Sequence, residues 1–242
     1  GDVYKRQVIT LPDTVTELTN YANQKCNGQD AVTLQTAFAL SCNTAFVEMS
    51  EQIGADELRK YAKAFGVGEN YDLGVSTSAG TLGDLPDGAA TAQSAIGQRD
   101  VTMTALQAAV MAGTVANKGT RMQPYLVNRI TDAQMKDIRT TKPKKADQAV
   151  NEETAATLTD LMYASERSSA GYDGNGFASK TGTAEHGEGL APHVWYVAFD
   201  PERDIAVGVV VKNGGNLGES ATGGKVSGPI GRAILRAYQG EQ

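Results

Sequence analysis

Three strand-like runs in direct succession, residues 177–184, 193–200 and 204–212, constrain this chain more than any other feature. The second and third are apolar, and a Pro201-Glu-Arg turn makes them a hairpin. The first, Phe177-Ala-Ser-Lys-Thr-Gly-Thr-Ala184, alternates small residues with β-formers between two glycine-containing loops. Together they predict an antiparallel meander. Helical patterns lie before and after it, which gives an α+β layout with helices segregated from the sheet.

The helical patterns carry their own punctuation. Asp30 caps residues 31–40, with Leu34, Ala37, Phe38 and Leu40 on one face. A second helix, 44–52, buries Ala45, Phe46 and Met49 and stops at Gly54. Asp56 caps 57–65, and Gly66 ends it. Residues 67–92 read as loop. Thr104 starts a helix over 105–117 with Leu106, Ala109, Val110 and Gly113 inward. Residues 125–130 predict a strand, and 132–148 a polar stretch with an exposed Lys142-Pro-Lys-Lys145 turn. Asn151 caps 152–164, whose buried stripe is Ala155, Leu158, Leu161 and Met162. A last helix covers 226–238.

Composition narrows the function classes. The 242 residues suit one large domain or one and a half, at 40% hydrophobic and 21% charged. A formal net charge of −6 without a basic run gives no footing for nucleic acid or an anionic membrane. The apolar run 205–211 is too short to cross a bilayer, and no signal peptide is visible. Residues 1–7, Gly-Asp-Val-Tyr-Lys-Arg-Gln, fit nothing that follows and read as an adaptor-like leader or a solvated native tail. The opening Gly1 in place of Met points to a protein that begins further upstream.

The first strand carries the chemistry. Lys180 offers a cation, Thr181 and Thr183 offer hydroxyls, and Gly182 in a strand marks close approach of a ligand or another backbone. A carboxylate-bearing ligand lying along the strand edge fits these groups. The competing account is a strand end with a solvated lysine. Upstream, Ser41-Cys42-Asn43 sits at a helix junction, where Ser and Asn also serve as ordinary caps.

Ser-x-Asn at a helix junction, followed far downstream by Lys-Thr-Gly-Thr on a strand opening a meander, resembles the penicillin-recognising serine enzymes. The flanks Thr33-Leu-Gln-Thr-Ala-Phe-Ala-Leu-Ser-Cys-Asn-Thr-Ala-Phe46, Ile96-Gly-Gln-Arg-Asp-Val-Thr-Met-Thr-Ala-Leu-Gln107 and Val194-Trp-Tyr-Val-Ala-Phe199 are similar to the class B, actinobacterial-type penicillin-binding proteins. The resemblance implies the penicillin-binding/β-lactamase-like transpeptidase fold over residues 8–242. It also implies an extracytoplasmic place on the cell membrane, and membrane proteins of division or elongation as partners.

What the resemblance implies for residues is specific. Lys180, Thr181 and Thr183 would bind the carboxylate of a D-Ala-D-Ala stem peptide or a β-lactam. Gly182 leaves room for that approach. The Thr183 N–H would form half of an oxyanion hole. Ser41 would relay a proton, and Asn43 would hold the catalytic lysine and the substrate amide. The reaction implied is acyl transfer, with no metal or organic cofactor needed.

The family's nucleophile motif, Ser-x-x-Lys, is absent from these 242 residues. Thr141-Lys-Pro-Lys144 and Thr222-Gly-Gly-Lys225 are rejected as substitutes, since their proline and glycines spoil the helix the chemistry requires. The expectation is therefore a partial domain that lacks the nucleophile helix and two N-terminal strands, and that is inactive by itself. The alternatives are a D,D-carboxypeptidase or β-lactamase-type hydrolase, and a non-catalytic sensor of wall peptides.

An oxidising compartment, implied by the family, would permit a disulfide between Cys26 and Cys42, 16 residues apart. The alternative is two independent thiols. His186 and His193 without nearby Cys partners do not predict a metal site. Trp195 reads as core, and Glu166 as a solvated charge near a helix end.

Overall fold

The computed structural model describes residues 2–4, 8–20, 25–29, 31–187 and 189–240. The chain opens with short strands β1 (Asp2–Tyr4), β2 (Val8–Thr10) and β3 (Glu17–Thr19), then a 3-10 turn, Cys26–Gly28, and β4 (Ala31–Thr33). Four helices follow: α1 (Leu34–Ala39), α2 (Asn43–Ala64), α3 (Gly88–Ala95) and α4 (Ala105–Ala116). Short strands β5 (Thr120–Met122), β6 (Arg129–Thr131), β7 (Asp137–Thr140) and β8 (Lys145–Gln148) lead to α5 (Glu152–Ser168). The meander is β9 (Ala178–Ala184), β10 (His193–Asp200) and β11 (Ile205–Val211). A 3-10 segment, Lys212–Ser220, and α6 (Ser227–Gly240) complete the described chain.

The meander is antiparallel throughout, in the order β11-β10-β9. Directly paired residues share a face. Ala178 and Phe199 pack with Ala112, Val115 and Met162 from α4 and α5. The opposite face gives Tyr196, Ala198 and Val207 to a cluster with Phe177 and with Leu235 of α6. A buried aromatic such as Phe199, 1% exposed, contributes about 1.5–3 kcal/mol of transfer free energy. On β11, a Cβ at Gly208 would collide with the Ala105 carbonyl oxygen, so the glycine sets how closely α4 seats.

Several local expectations change. Helix α1 starts at Leu34, because Ala31–Thr33 pairs with β1 and Val32 is buried beside Cys26 and Cys42. Its cap is Thr33, whose Oγ1 accepts the Thr36 N–H at 3.2 Å; Asp30 lies outside the described residues. Residues 2–4, set aside on sequence grounds, are the partner of β4. The two helices expected on either side of Gly54 are both present within α2, and Gly54, non-helical at φ 74° and ψ 172°, separates them as expected.

Helix α3 falls partly in the expected loop. Asp87 caps it through the Ala90 N–H at 2.7 Å. Its buried face is Ala90, Thr91, Ala92 and Ser94, too small and polar to give an apolar stripe. Helix α4 begins as expected, with a full Thr104–Gln107 capping box. Its buried residues, however, are Gln107, Ala108, Ala112, Thr114 and Val115, since the close approach of Gly208 selects the alanine face. The strand expected over 125–130 is only Arg129–Thr131, leaving Leu126 and Val127 exposed, and β7 and β8 occupy the stretch expected to be polar loop.

Candidate active site

Ser41 sits in the turn between α1 and α2, in the left-handed region at φ 54°. A serine there is held against a cost of order 1 kcal/mol by its surroundings. Three ties supply the hold. Cys26 and Cys42 are disulfide-bonded, with Cα atoms 5.7 Å apart. The Asn43 side-chain amide donates to the Thr19 carbonyl oxygen at 3.3 Å. The Thr44 backbone N–H donates to Asn20 Oδ1 at 3.1 Å, capping α2 from a distant residue. Cys42 occupies the cap position and makes no side-chain cap, so neither Ser41 nor Asn43 is an ordinary helix cap.

Among the described residues β9 pairs with β10 on one side only, which makes it an edge strand. Lys180, Gly182 and Ala184 share a face with Val197, Trp195 and His193, while Ser179, Thr181 and Thr183 share the other with Ala198, Tyr196 and Val194. The Lys180 ammonium donates to Ser41 Oγ and, at 2.8 Å, to the Thr181 carbonyl oxygen. It also lies 5.8 Å from the centre of the Phe38 ring. Burial draws its pKa down to about 8, so about a tenth is neutral at pH 7. At Gly182 a Cβ would lie 3.3 Å from Trp195 Cβ, which leaves little space for any side chain. Trp195 itself is half-buried.

The strand is anchored from behind by a group assigned to solvent on sequence grounds. Glu166 is 0% exposed, not a solvated helix-terminal charge. Its Oε1 accepts from Arg232 Nε at 2.6 Å and Asn175 Nδ2 at 2.9 Å. Its Oε2 accepts from Ser179 Oγ and, at 3.0 Å, from the Tyr196 hydroxyl. Burial alone would raise the Glu166 pKa; the bonds from Arg232, Ser179 and Asn175, with the guanidinium charge, outweigh it and leave the group ionised below its usual range. Burial and the Glu166 charge raise the Tyr196 pKa, keeping its hydroxyl protonated as a donor.

The structure thus brings Ser41 and Lys180 together across 139 residues, with Thr181, Gly182 and Thr183 next along the open edge. Asn43 lies on the adjoining turn but is bonded to Thr19. Sequence reasoning missed Glu166 and Arg232. The available signal was Arg232 standing at helical spacing between Gly228 and Leu235, on the face of the last helix that turns inward. His186 and His193 have ring centres 4.1 Å apart at the far end of β9. Among the described residues no group of three or more His, Cys, Asp or Glu could hold a metal ion. No helix among them is long and apolar enough to cross a membrane.

Known proteins resemble this chain in sequence and fold. The family model described as the penicillin binding protein transpeptidase domain matches residues 2–236. The peptidoglycan D,D-transpeptidase PbpA of Mycolicibacterium smegmatis is 44% identical over 94% of this chain and 48% of its own length. Its namesake in Mycobacterium tuberculosis is 42% identical over 96% of this chain and 49% of its own. The chain spans about half the length of these curated relatives. A solved structure of penicillin-binding protein A from M. tuberculosis, as a ceftriaxone acyl-enzyme complex, superposes with a TM-score of 0.93 at 40% identity, covering 98% of this chain and 55% of that one. A D,D-transpeptidase domain from Eggerthella lenta shares the fold at 24% identity, with a TM-score of 0.81 over the whole of this chain and 60% of that one. On these grounds the chain belongs to the penicillin-binding protein transpeptidase family.

Proposed function

We propose that this chain is the substrate-cradling part of a peptidoglycan D,D-transpeptidase, which crosslinks the bacterial cell wall by serine acyl transfer. The observation that carries it is the Lys180 ammonium against Ser41 Oγ on the open edge of β9. The stem peptide ends in D-Ala-D-Ala, and its terminal carboxylate is taken by Lys180, Thr181 and Thr183. Gly182 leaves the strand edge clear for it. β-Lactams, which present a carboxylate beside a reactive carbonyl, take the same place.

The attacking serine is on a Ser-x-x-Lys helix that these 242 residues do not contain. As its O–H proton passes to the lysine of that motif, its oxygen adds to the penultimate D-Ala carbonyl, and the Thr183 N–H donates a hydrogen bond to the oxygen on which negative charge develops. The C–N bond to the terminal D-Ala breaks, and that amine leaves with a proton relayed through Ser41. Asn43 exchanges its bond to Thr19 for the catalytic lysine and substrate amide. A neighbouring stem's amine then attacks the serine ester, gives up a proton and releases the serine. A Lys180 pKa near 8 suits both carriage of charge and participation in that proton path. The parent protein works on the extracytoplasmic face of the cell membrane, with membrane proteins of division or elongation as partners.

The test is a chimera that places this chain behind the N-terminal half of the M. smegmatis relative. Given a D-Ala-D-Ala donor and an amine acceptor, it should form the amide-linked product. Release of the free acid alone would assign a carboxypeptidase or hydrolase, and no turnover would favour a wall-peptide sensor.

A further inference from the structure

Residues 120–148 form a β-ribbon to which none of the proposed catalytic or binding residues belongs. Its base is β5 against β8, and its outer part is β6 against β7. Between the two, the Gln123 N–H donates to the Lys144 carbonyl oxygen at 2.8 Å, and the Thr141 N–H to that of Asn128 at 2.7 Å. The tip turns on Asp132, whose Oδ1 accepts the N–H groups of Gln134 at 3.0 Å and Lys136 at 2.9 Å. Among the described residues β6 and β7 pair with each other and with no further strand. The backbone is satisfied, but the side chains are left unpacked.

Six large apolar side chains, Tyr125, Leu126, Val127, Ile130, Met135 and Ile138, stand between 39% and 69% exposed along the ribbon. A contiguous apolar strip of this kind marks an interaction surface. Its charge is distinctive too. Residues 125–147 hold six basic side chains against three acidic, in a chain of formal net charge −6. The acids are engaged within the ribbon: Asp132 in the tip turn, Asp137 with Arg129 Nε at 3.5 Å, and Asp147 with the Gln148 N–H at 2.8 Å. Lys136, Arg139, Lys142 and Lys144 form no ion pair among the described residues. Strand pairing gathers this charge onto the apolar strip, setting Ile130 directly opposite Arg139.

Shape and charge together select the partner. The apolar side chains begin at Tyr125, about 20 Å of strand before the tip, and the tip itself carries Asp132 and Asp137. A bilayer would have to take in that acidic tip first, whereas a protein laid along the ribbon covers the aliphatic residues and leaves the tip in water. The bulge between Ile130 and Thr131, with the basic side chains around it, discourages another strand from extending the sheet. We propose that this ribbon is a docking surface for an amphipathic helix of a partner protein. Its aliphatic face packs on Val127, Ile130 and Ile138, and carboxylates along its rims meet Arg139, Lys142 and Lys144. The surface serves assembly, so it stands whether or not the β9 edge binds D-Ala-D-Ala.

The test is an NMR titration of the ¹⁵N-labelled chain with two synthetic helical peptides of about 18 residues. Both carry the same leucine stripe; glutamates rim it in one and lysines in the other. The glutamate peptide should shift the amides of residues 126–131 and 137–142 and leave those of 181–183 unmoved. Its affinity should fall about five-fold between about 0.1 M and 0.5 M salt. The exposed-site changes Ile138→Ser, or Lys142→Glu with Lys144→Glu, should each abolish the response while the unfolding midpoint stays in place. Equal binding of the lysine peptide, or no shift of residues 126–142 from either, would overturn the proposal. Phosphatidylglycerol vesicles that shift these amides where the glutamate peptide does not would make the ribbon a lipid-binding one and overturn it as well. So would protection of the same amides from hydrogen exchange in the chimera with the relative's N-terminal half, before any peptide is added, because the strip would then be covered within its own protein.

Discussion

Glu166 and Ser179 are bonded side chain to side chain behind β9, one residue before the lysine that faces the candidate site. Because side chains alternate along a strand, fixing Ser179 toward Glu166 fixes Lys180 toward the opposite face, where Ser41 and Phe38 lie. The same carboxylate joins α5, β9, β10 and α6 through Ser179, Tyr196 and Arg232.

Removing one partner of this buried pair should be severe. Glu166→Ala leaves the Arg232 guanidinium, 2% exposed, without its counter-charge and should cost about 3–5 kcal/mol in urea unfolding. The depressed Glu166 pKa adds a pH signature. Its stabilisation is present above the unfolded value of 4.5 and is lost as pH falls through the lower folded value. A loss within 1 kcal/mol would mean the network does not hold the strand.

Lys180 should titrate near pH 8, readable from its side-chain ¹³Cε resonance. Its folded pKa is below the ordinary 10.5, so the unfolded chain binds more protons between the two values. Stability should therefore rise with pH from about 8 toward 10.5 through this group, and Lys180→Met should flatten that rise. A titration midpoint near 10.5 would remove the desolvated lysine from the account.

Reducing the Cys26–Cys42 bond should cost about 3 kcal/mol in the chain-entropy model and free the Ser41 turn from one of its three ties. The readout is the unfolding midpoint with and without reductant, alongside the Ser41 and Lys180 resonances. Two free thiols in the unreduced protein would contradict the bridge.

With no Ser-x-x-Lys among its 242 residues, the chain alone should form no stable penicillin adduct by intact mass. An added mass of one penicillin would show that another residue serves as nucleophile.

The parts legible in the sequence were those governed by local rules. The β9–β11 meander, the Asn151 cap of α5 and the Thr104 start of α4 follow from alternation and capping chemistry. Lys180-Thr-Gly-Thr and Ser-Cys-Asn could be singled out as motifs, but their meeting across 139 residues is a tertiary fact. What escaped depended on neighbours far away in the chain. Helix α3 buries Ala, Thr and Ser against α2, so its face carries no apolar period. The inward face of α4 is chosen by Gly208, about a hundred residues on, and the short β4 by its pairing with β1. Glu166 resembles any charge near a helix end until Arg232, 66 residues later, comes to meet it.

The most direct test is a titration of the chain with N-acetyl-D-Ala-D-Ala and with its C-terminal amide, following the amides of residues 181–183 at pH 7 and pH 9. The free acid should bind and the amide should not. With Lys180 losing its proton near pH 8, the acid's affinity should fall about ten-fold between the two pH values and be lost in Lys180→Met. Equal binding of acid and amide, or an affinity indifferent to Lys180, would contradict a carboxylate cradle on the β9 edge.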